Sequence, residues 1–341
     1  VVDENPAAQR PTFRWGATTH VGGVREHNED AFYVSDYVCV VADGMGGHEA
    51  GEVASQLVTQ LVAETFGARP LAVTELPRVV SSLNSAVRQK GAENNTQGMG
   101  TTVVGVALAD NADAPSAVVF HVGDSRCYRI ANGRMDQLTT DHSHVQDLVQ
   151  DGRITEAEAR AHPLRNVITR ALGADVVVEA DFHVLPEEDC RLLLCSDGLS
   201  GEVDDDRIWD LLSTYADPSK AAVALVEAVL EGPARDNVTA VVIDLSFPSV
   251  HHDDRSQPTA HRGVADVTAE VESVPGASTA EVTAEPEGAV MVDVAWAPPT
   301  PGRQHPDQGD RPSAARDAAP WGAPEPSSNV SNTQPAPHDS Q

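Results

Sequence analysis

Five runs along the chain are almost wholly apolar: "YVCVVAD" (37–43), "TTVVGVALA" (101–109), "AVVFHVGD" (117–124), "RLLLCSD" (191–197) and "VTAVVIDL" (238–245). Their length and their wealth of valine and leucine predict buried strands. Between them the apolar positions recur at helical spacing. Val53, Ala54, Leu57, Val58, Leu61 and Val62 form one stripe, and Leu76, Val79, Val80, Leu83 and Val87 form another. Nearer the end, "DDDRIWDLLSTY" and "DPSKAAVALVEAVLEG" read as helices with acidic or Asp-Pro starts. Two helices thus follow early strands and two precede the last strand. This is not regular βαβ alternation. It predicts an α+β fold in which two sheets pack face to face with helix pairs outside.

Two segments depart from the pattern. Residues 141–181 hold a helical piece, a Gly turn, a short acidic helix and a His-Pro break, and are expected to form a flap over one face of the core. After Phe247, Pro, Ala, Ser, Thr and acids dominate, and 14 of the 23 prolines fall there. Such a composition buries too little apolar surface to offset ordering entropy, so 248–341 is expected to be a disordered tail behind a catalytic-sized domain at 10–247.

The net charge of −29 argues against generic binding to nucleic acid or anionic membrane. No run approaches the ~18 apolar residues of a membrane span, and no signal peptide is expected. Cys39, Cys127, Cys190 and Cys195 each sit in a strand-like run and are expected to be buried, reduced thiols, which points to the cytoplasm.

Acids mark the strand ends. Asp43-Gly44, Asp124-Ser125 and Asp197-Gly198 each close an apolar run, and Asp236 directly precedes the last one. One such Asp is an ordinary turn residue. Several, arriving from separate strands, can converge, and a cluster of like charges needs cations to neutralise it. Oxygen donors of this kind suit Mg²⁺ or Mn²⁺. Gly44 can offer its carbonyl as well, and its lack of a side chain allows close approach.

The motifs surrounding these acids resemble those of the metal-dependent protein phosphatase family, the PPM or PP2C-like serine/threonine phosphatases, in its bacterial form. The resemblance runs from about 16 to 245 through "GGVREHNEDAFYV", "VVADGMGGHEAGEVAS", "GMGTTVVGV", "HVGDSRCYRI", "LLLCSDGLSGEV" and "RDNVTAVVI", in the family's order. It implies a four-layer αββα sandwich with two central antiparallel sheets. It also implies that Asp43 bridges two metal ions, that Gly44 adds its carbonyl, and that Asp197 and Asp236 complete the first metal's shell. Glu29 and Asp30 would hold metal-bound waters, and Asp124 with Asp197 would form a third metal position. Arg25 would bind the substrate phosphate. The family's eukaryotic proton donor is a His where this chain has Met45, so His162 of the flap becomes a candidate for proton donation or phosphate contact, and His48 is read as a helix-start residue.

The implied reaction is hydrolysis of phosphoserine and phosphothreonine on proteins by a metal-bridged hydroxide, with two Mn²⁺ or Mg²⁺ ions and a possible third. The implied partners are phosphorylated proteins, Ser/Thr kinases and their substrates among them, and the enzyme would act as a monomer. Two alternatives are a phosphatase dedicated to one regulatory switch protein and a non-catalytic, phosphatase-like binding module. Degenerate relatives of the latter kind lose acids of the metal centre, and here every matched position keeps its acid.

Overall fold

The valine-rich runs become strands because both of their faces are covered. A computed structural model of the protein describes residues 10–46, 49–66, 69–96, 98–110 and 115–248. The expected tail at 248–341, save Pro248, and His48 lie outside the described residues. In chain order the elements are β1 (Thr12–His20), β2 (Asp30–Val34), β3 (Val38–Met45), α1 (Glu49–Phe66), β4 (Leu71–Ala72), α2 (Leu76–Asn94), β5 (Gly100–Thr101), β6 (Val103–Asp110), β7 (Pro115–Val122), β8 (Arg126–Ala131) and β9 (Arg134–Gln137). They continue with α3 (His144–Gln150), α4 (Glu156–Arg160), β10 (Asp181–Val184), β11 (Cys190–Cys195), α5 (Asp197–Ser200), α6 (Asp205–Thr214), α7 (Pro218–Leu230) and β12 (Val238–Ser246).

One sheet runs β1-β12-β11-β8-β9 and the other β10-β7-β6-β3-β2, with β4 and β5 joined to β6 and β3. Every pairing along these two orders is antiparallel. The side-chain period of two sorts each strand between two cores. In β3, Val38, Val40 and Ala42 meet α1 and α2, whereas Cys39 and Val41 meet the other sheet. In β11, Leu192 and Leu194 face the opposing sheet while Leu193 and Cys195 face α6 and α7. Three stacked cores therefore make the four layers, α1/α2, sheet, sheet and α6/α7.

The helices start where the sequence says they should. The Asp204 side chain accepts from the Arg207 N–H to cap α6, and Asp217 accepts from Ser219 ahead of Pro218 to cap α7. In α1 the apolar stripe buries Ala54, Val58 and Val62 completely.

The 141–181 segment leaves and returns beside the strand ends. The His142 N–H donates to Gly123 O at 2.9 Å, Thr169 N–H donates to His142 O at 2.8 Å, and Thr101 and Leu172 exchange both backbone hydrogen bonds. All four cysteines are buried and free.

Candidate metal centre

The alternation that sorts β3 also aims its terminal acid. Cys39 and Val41 face the opposing sheet, so Asp43, two residues on, faces it too. In β2, Phe32 and Val34 pack into the same layer, and Asp30 is the next residue on that face. The β2–β3 register then sets Asp30 directly opposite Asp43. Asp197 opens α5 immediately after β11, Asp236 precedes β12, and Asp124 follows β7. Five acids from both sheets thus meet at one end of the sandwich.

Hydrogen bonds hold the cluster and the segments around it in place. Ser196 and Thr239, both fully buried, donate their hydroxyls to Asp30 Oδ2 at 2.7 Å each, which ties the two sheets together at the site. Thr102 Oγ1 accepts from Asp43 N–H at 3.0 Å and shares a 2.8 Å bond with Ser125 Oγ, next to Asp124. Asn237 donates to the carbonyls of Val21 and His27 and accepts from Glu29 N–H, so the loop carrying Arg25 and Glu29 is bound to the start of β12. Asp236 accepts from Asn237 N–H through Oδ1 and from Arg25 Nη2 through Oδ2, both at 2.8 Å. Gly44 lies so close to α1 that a Cβ there would stand 2.1 Å from Gly51 O, so no other residue fits without moving the helix.

The electrostatics are those of an under-neutralised cluster. Burial, reinforced by the charges of Asp197 and Asp236, pushes the Asp30 carboxyl up to about 7. Burial and then Asp236 push Asp197 to about 6. Asp43 and Asp124 are held well above the usual carboxylate range, first by burial and then by their acidic neighbours. Glu29 is raised by burial. Arg25 stays firmly charged: burial opposes its charge, and Asp236, Glu29 and Asp43 more than offset that.

Two carboxylate oxygens in the cluster, Asp30 Oδ1 and Asp124 Oδ1, are buried with no hydrogen-bond partner. An orphaned buried carboxylate oxygen is costly unless a cation or water meets it. The available donors are carboxylate and backbone carbonyl oxygens, the set that Mg²⁺ and Mn²⁺ accept. The residues present therefore fit divalent cations. The acids are spread rather than tight: among the described residues the group of three ligand-bearing side chains with all ligand atoms within 4.8 Å is a different one, His121, His142 and Asp181. Wider spacing suits several cations that keep water in their shells.

A match to the family described as Protein phosphatase 2C spans residues 22–231 and takes in four of the five acids, while Asp236 lies just beyond it. The chain belongs to the protein phosphatase 2C family. It is 41% identical over 236 residues to the serine/threonine protein phosphatase PstP of Mycobacterium tuberculosis H37Rv, a match covering 68% of this chain and 45% of PstP. The chain thus spans about half the length of that relative. It is 34% identical over 239 residues to the serine/threonine phosphatase stp of Listeria monocytogenes EGD-e, covering 66% of this chain and 93% of that one. The crystal structure of M. tuberculosis PstP superposes with a TM-score of 0.63 at 39% identity, covering 69% of this chain and all of that one. The PstP catalytic domain in complex with 2 manganese ions superposes at 0.62 and 38% identity, covering 69% and 99%. The protein phosphatase 2C fold is accordingly the four-layer sandwich expected from the strand and helix pattern.

His162 behaves differently from the acids. Its Nδ1 accepts from Leu164 N–H at 3.2 Å, within its own turn, and no described hydrogen bond or ion pair links it to the cluster. Conversely, sequence reasoning assigned no role to Thr102, Ser196, Asn237 or Thr239. Their signal was present: each is a polar side chain beside or inside an apolar run, fully or almost fully buried.

Proposed function

We propose that this chain is a metal-dependent protein serine/threonine phosphatase, with the activity carried by residues 10–247. The observation that supports this most is the convergence of Asp30, Asp43, Asp124, Asp197 and Asp236, with two buried oxygens left unpartnered, in a chain of the protein phosphatase 2C family. Asp43, Asp197 and Asp236 with the Gly44 carbonyl would hold two Mn²⁺ or Mg²⁺ ions. Asp124 and Asp197 would hold a third, and Glu29 and Asp30 would orient waters around them. Such ions supply a water deprotonated near neutral pH and positive charge opposite the phosphoryl oxygens. The rest falls to the chain. Arg25, half-exposed at the rim, presents a planar fork that matches two phosphate oxygens. Ser196 and Thr239 keep Asp30 oriented, and Asn237 keeps the Arg25 loop in register with Asp236.

The substrates proposed are phosphorylated proteins, the products of Ser/Thr kinases, met by a monomer. Among the described residues no helix is long and apolar enough to cross a membrane, and free buried cysteines support a cytoplasmic setting. Release of phosphate from a phosphothreonine peptide tests the reading. Turnover with Mn²⁺ or Mg²⁺ that stops with chelator is expected, whereas no turnover with either ion, or turnover indifferent to chelator, would overturn it.

A further inference from the structure

His121, His142 and Asp181 bring ligand-capable atoms within 4.8 Å of one another, which invites a reading as a separate metal site. The hydrogen bonds argue against it. Gly123 N–H donates to His142 Nδ1 at 3.1 Å, so that nitrogen keeps its lone pair and the ring proton sits on Nε2. Nε2 then donates to Asp181 Oδ2 at 3.0 Å. The His121 ring donates through Nε2 to Gly123 O at 2.9 Å. Positive charge beside Asp181 is already supplied by Arg170, whose Nη1 lies 3.8 Å from Asp181 Oδ1, and His142 Nε2, carrying its proton, has no lone pair to offer a cation.

What the cluster does hold is the backbone of one residue, through the peptide groups on both sides of it. Gly123 gives its N–H to His142 Nδ1, and its carbonyl accepts from both the His142 N–H and His121 Nε2. The two imidazoles lie against each other with centroids 4.3 Å apart. Gly123 has φ +114°, and a Cβ there would sit 2.6 Å from Thr102 Cβ. The residue after it is Asp124, only 7% exposed, with Oδ1 unpartnered. Its direction depends on how Gly123 is held. Among the described residues no donor of another residue reaches the Asp124 carboxylate, whereas Asp30 and Asp236 each accept such hydrogen bonds.

We propose that His142, oriented by Asp181 and packed against His121, is a positioning residue that clamps Gly123 and thereby aims the Asp124 carboxylate at the cation site it would share with Asp197. The inference rests on the functional reading above. It ties the flap to the chemistry, because His142 opens the flap and Asp181 closes it. Partners that orient a metal ligand typically change affinity by about 10–100-fold when removed.

The test is equilibrium Mn²⁺ binding by the full chain, followed by electron paramagnetic resonance of free Mn²⁺, with exchange of the Gly123 amide measured alongside. In His142→Ala one Mn²⁺ is expected to bind about tenfold more weakly, with the other ions unchanged and the Gly123 amide exchanging faster. His142→Asn, whose carbonyl oxygen falls near the Nδ1 position, should recover much of both. Asp181→Ala, a change at a mostly exposed side chain, should weaken the same ion to a smaller degree, and it keeps the test open if His142→Ala does not fold. Wild-type affinity for every ion in the His142 and Asp181 variants would overturn the inference alone. So would equal weakening of all ions with a lowered melting temperature, which is the mark of a general structural role. A wild-type chain that binds no Mn²⁺ would overturn the functional reading and this inference with it.

Discussion

Asp30 and Asp43 stand directly opposite each other across β2 and β3, on the face that looks toward the second sheet. Two buried carboxylates in cross-strand register repel, and the fold tolerates them by holding protons there. Burial and acidic neighbours push Asp30 to about 7 and Asp197 to about 6, above the ~4 of an unfolded Asp. Between about pH 4 and 7 the folded state therefore binds more protons than the unfolded one, and stability falls as pH rises through that window. Calorimetry in chelator should find this contribution at pH 5 and its loss at pH 7.5. Added Mn²⁺ should raise the melting temperature more at pH 7.5 than at pH 5, since the ion must displace the protons. An equal rise at both pH values would contradict the assignment.

Replacing one acid separates charge relief from lost chemistry. Asp197→Asn removes a buried charge from the cluster, so the metal-free protein should melt no lower than wild type. Turnover should fall by more than about a hundredfold, the loss expected when several kcal/mol of charge stabilisation goes. Phosphopeptide kinetics at saturating Mn²⁺, set beside the metal-free melting curve, give both readings. Near-normal turnover would remove Asp197 from the centre.

Arg25 reaches Asp236 at 2.8 Å, not the adjacent Glu26 or the nearby Glu29, and is itself half-exposed. Its ion pair as such is worth little at that exposure, ~0–1 kcal/mol. A phosphate contact present in both ground and transition states acts mainly on binding. Arg25→Ala should raise KM more than it lowers kcat, with a ten- to hundredfold loss in kcat/KM for a charge-assisted contact of roughly 1.5–3 kcal/mol. Arg25→Lys should recover part. A change within about twofold on a phosphopeptide, a scale of ~0.4 kcal/mol, would leave Arg25 as a rim ion pair only.

His162 can be tested through the leaving group. A proton donor matters for a serine or threonine alkoxide and little for an aryl oxide, which leaves unaided. If His162 donates, His162→Ala should lower turnover of a phosphoserine peptide by about 10²–10⁴-fold while sparing an aryl phosphate. Equal, small changes on both would assign His162 to its local turn with Leu164.

The sequence made some of this legible for a physical reason. Strands buried on both faces, such as β3 and β12, read as unbroken apolar runs, so an Asp at their ends breaks the pattern visibly. The α1 stripe and the Asp caps of α6 and α7 are local signals of the same kind. What stayed hidden depends on register and distance. Nothing local says that Asp30 meets Asp43, that Ser196 and Thr239 converge on Asp30 from the other sheet, or that Arg25 pairs with Asp236. β10 is four exposed residues and carries no burial pattern. His142 and Asp181 lie 39 residues apart and meet only because the flap leaves and returns at the same strand ends.

On the proposed function the aspartates, not the histidines, hold the cations. Anomalous diffraction at the manganese edge from crystals grown with Mn²⁺ tests it most directly. Two or more peaks are expected among Asp43, the Gly44 carbonyl, Asp197 and Asp236, with none between His121, His142 and Asp181. No peak at the aspartates, or a peak at the histidine cluster alone, would contradict the account.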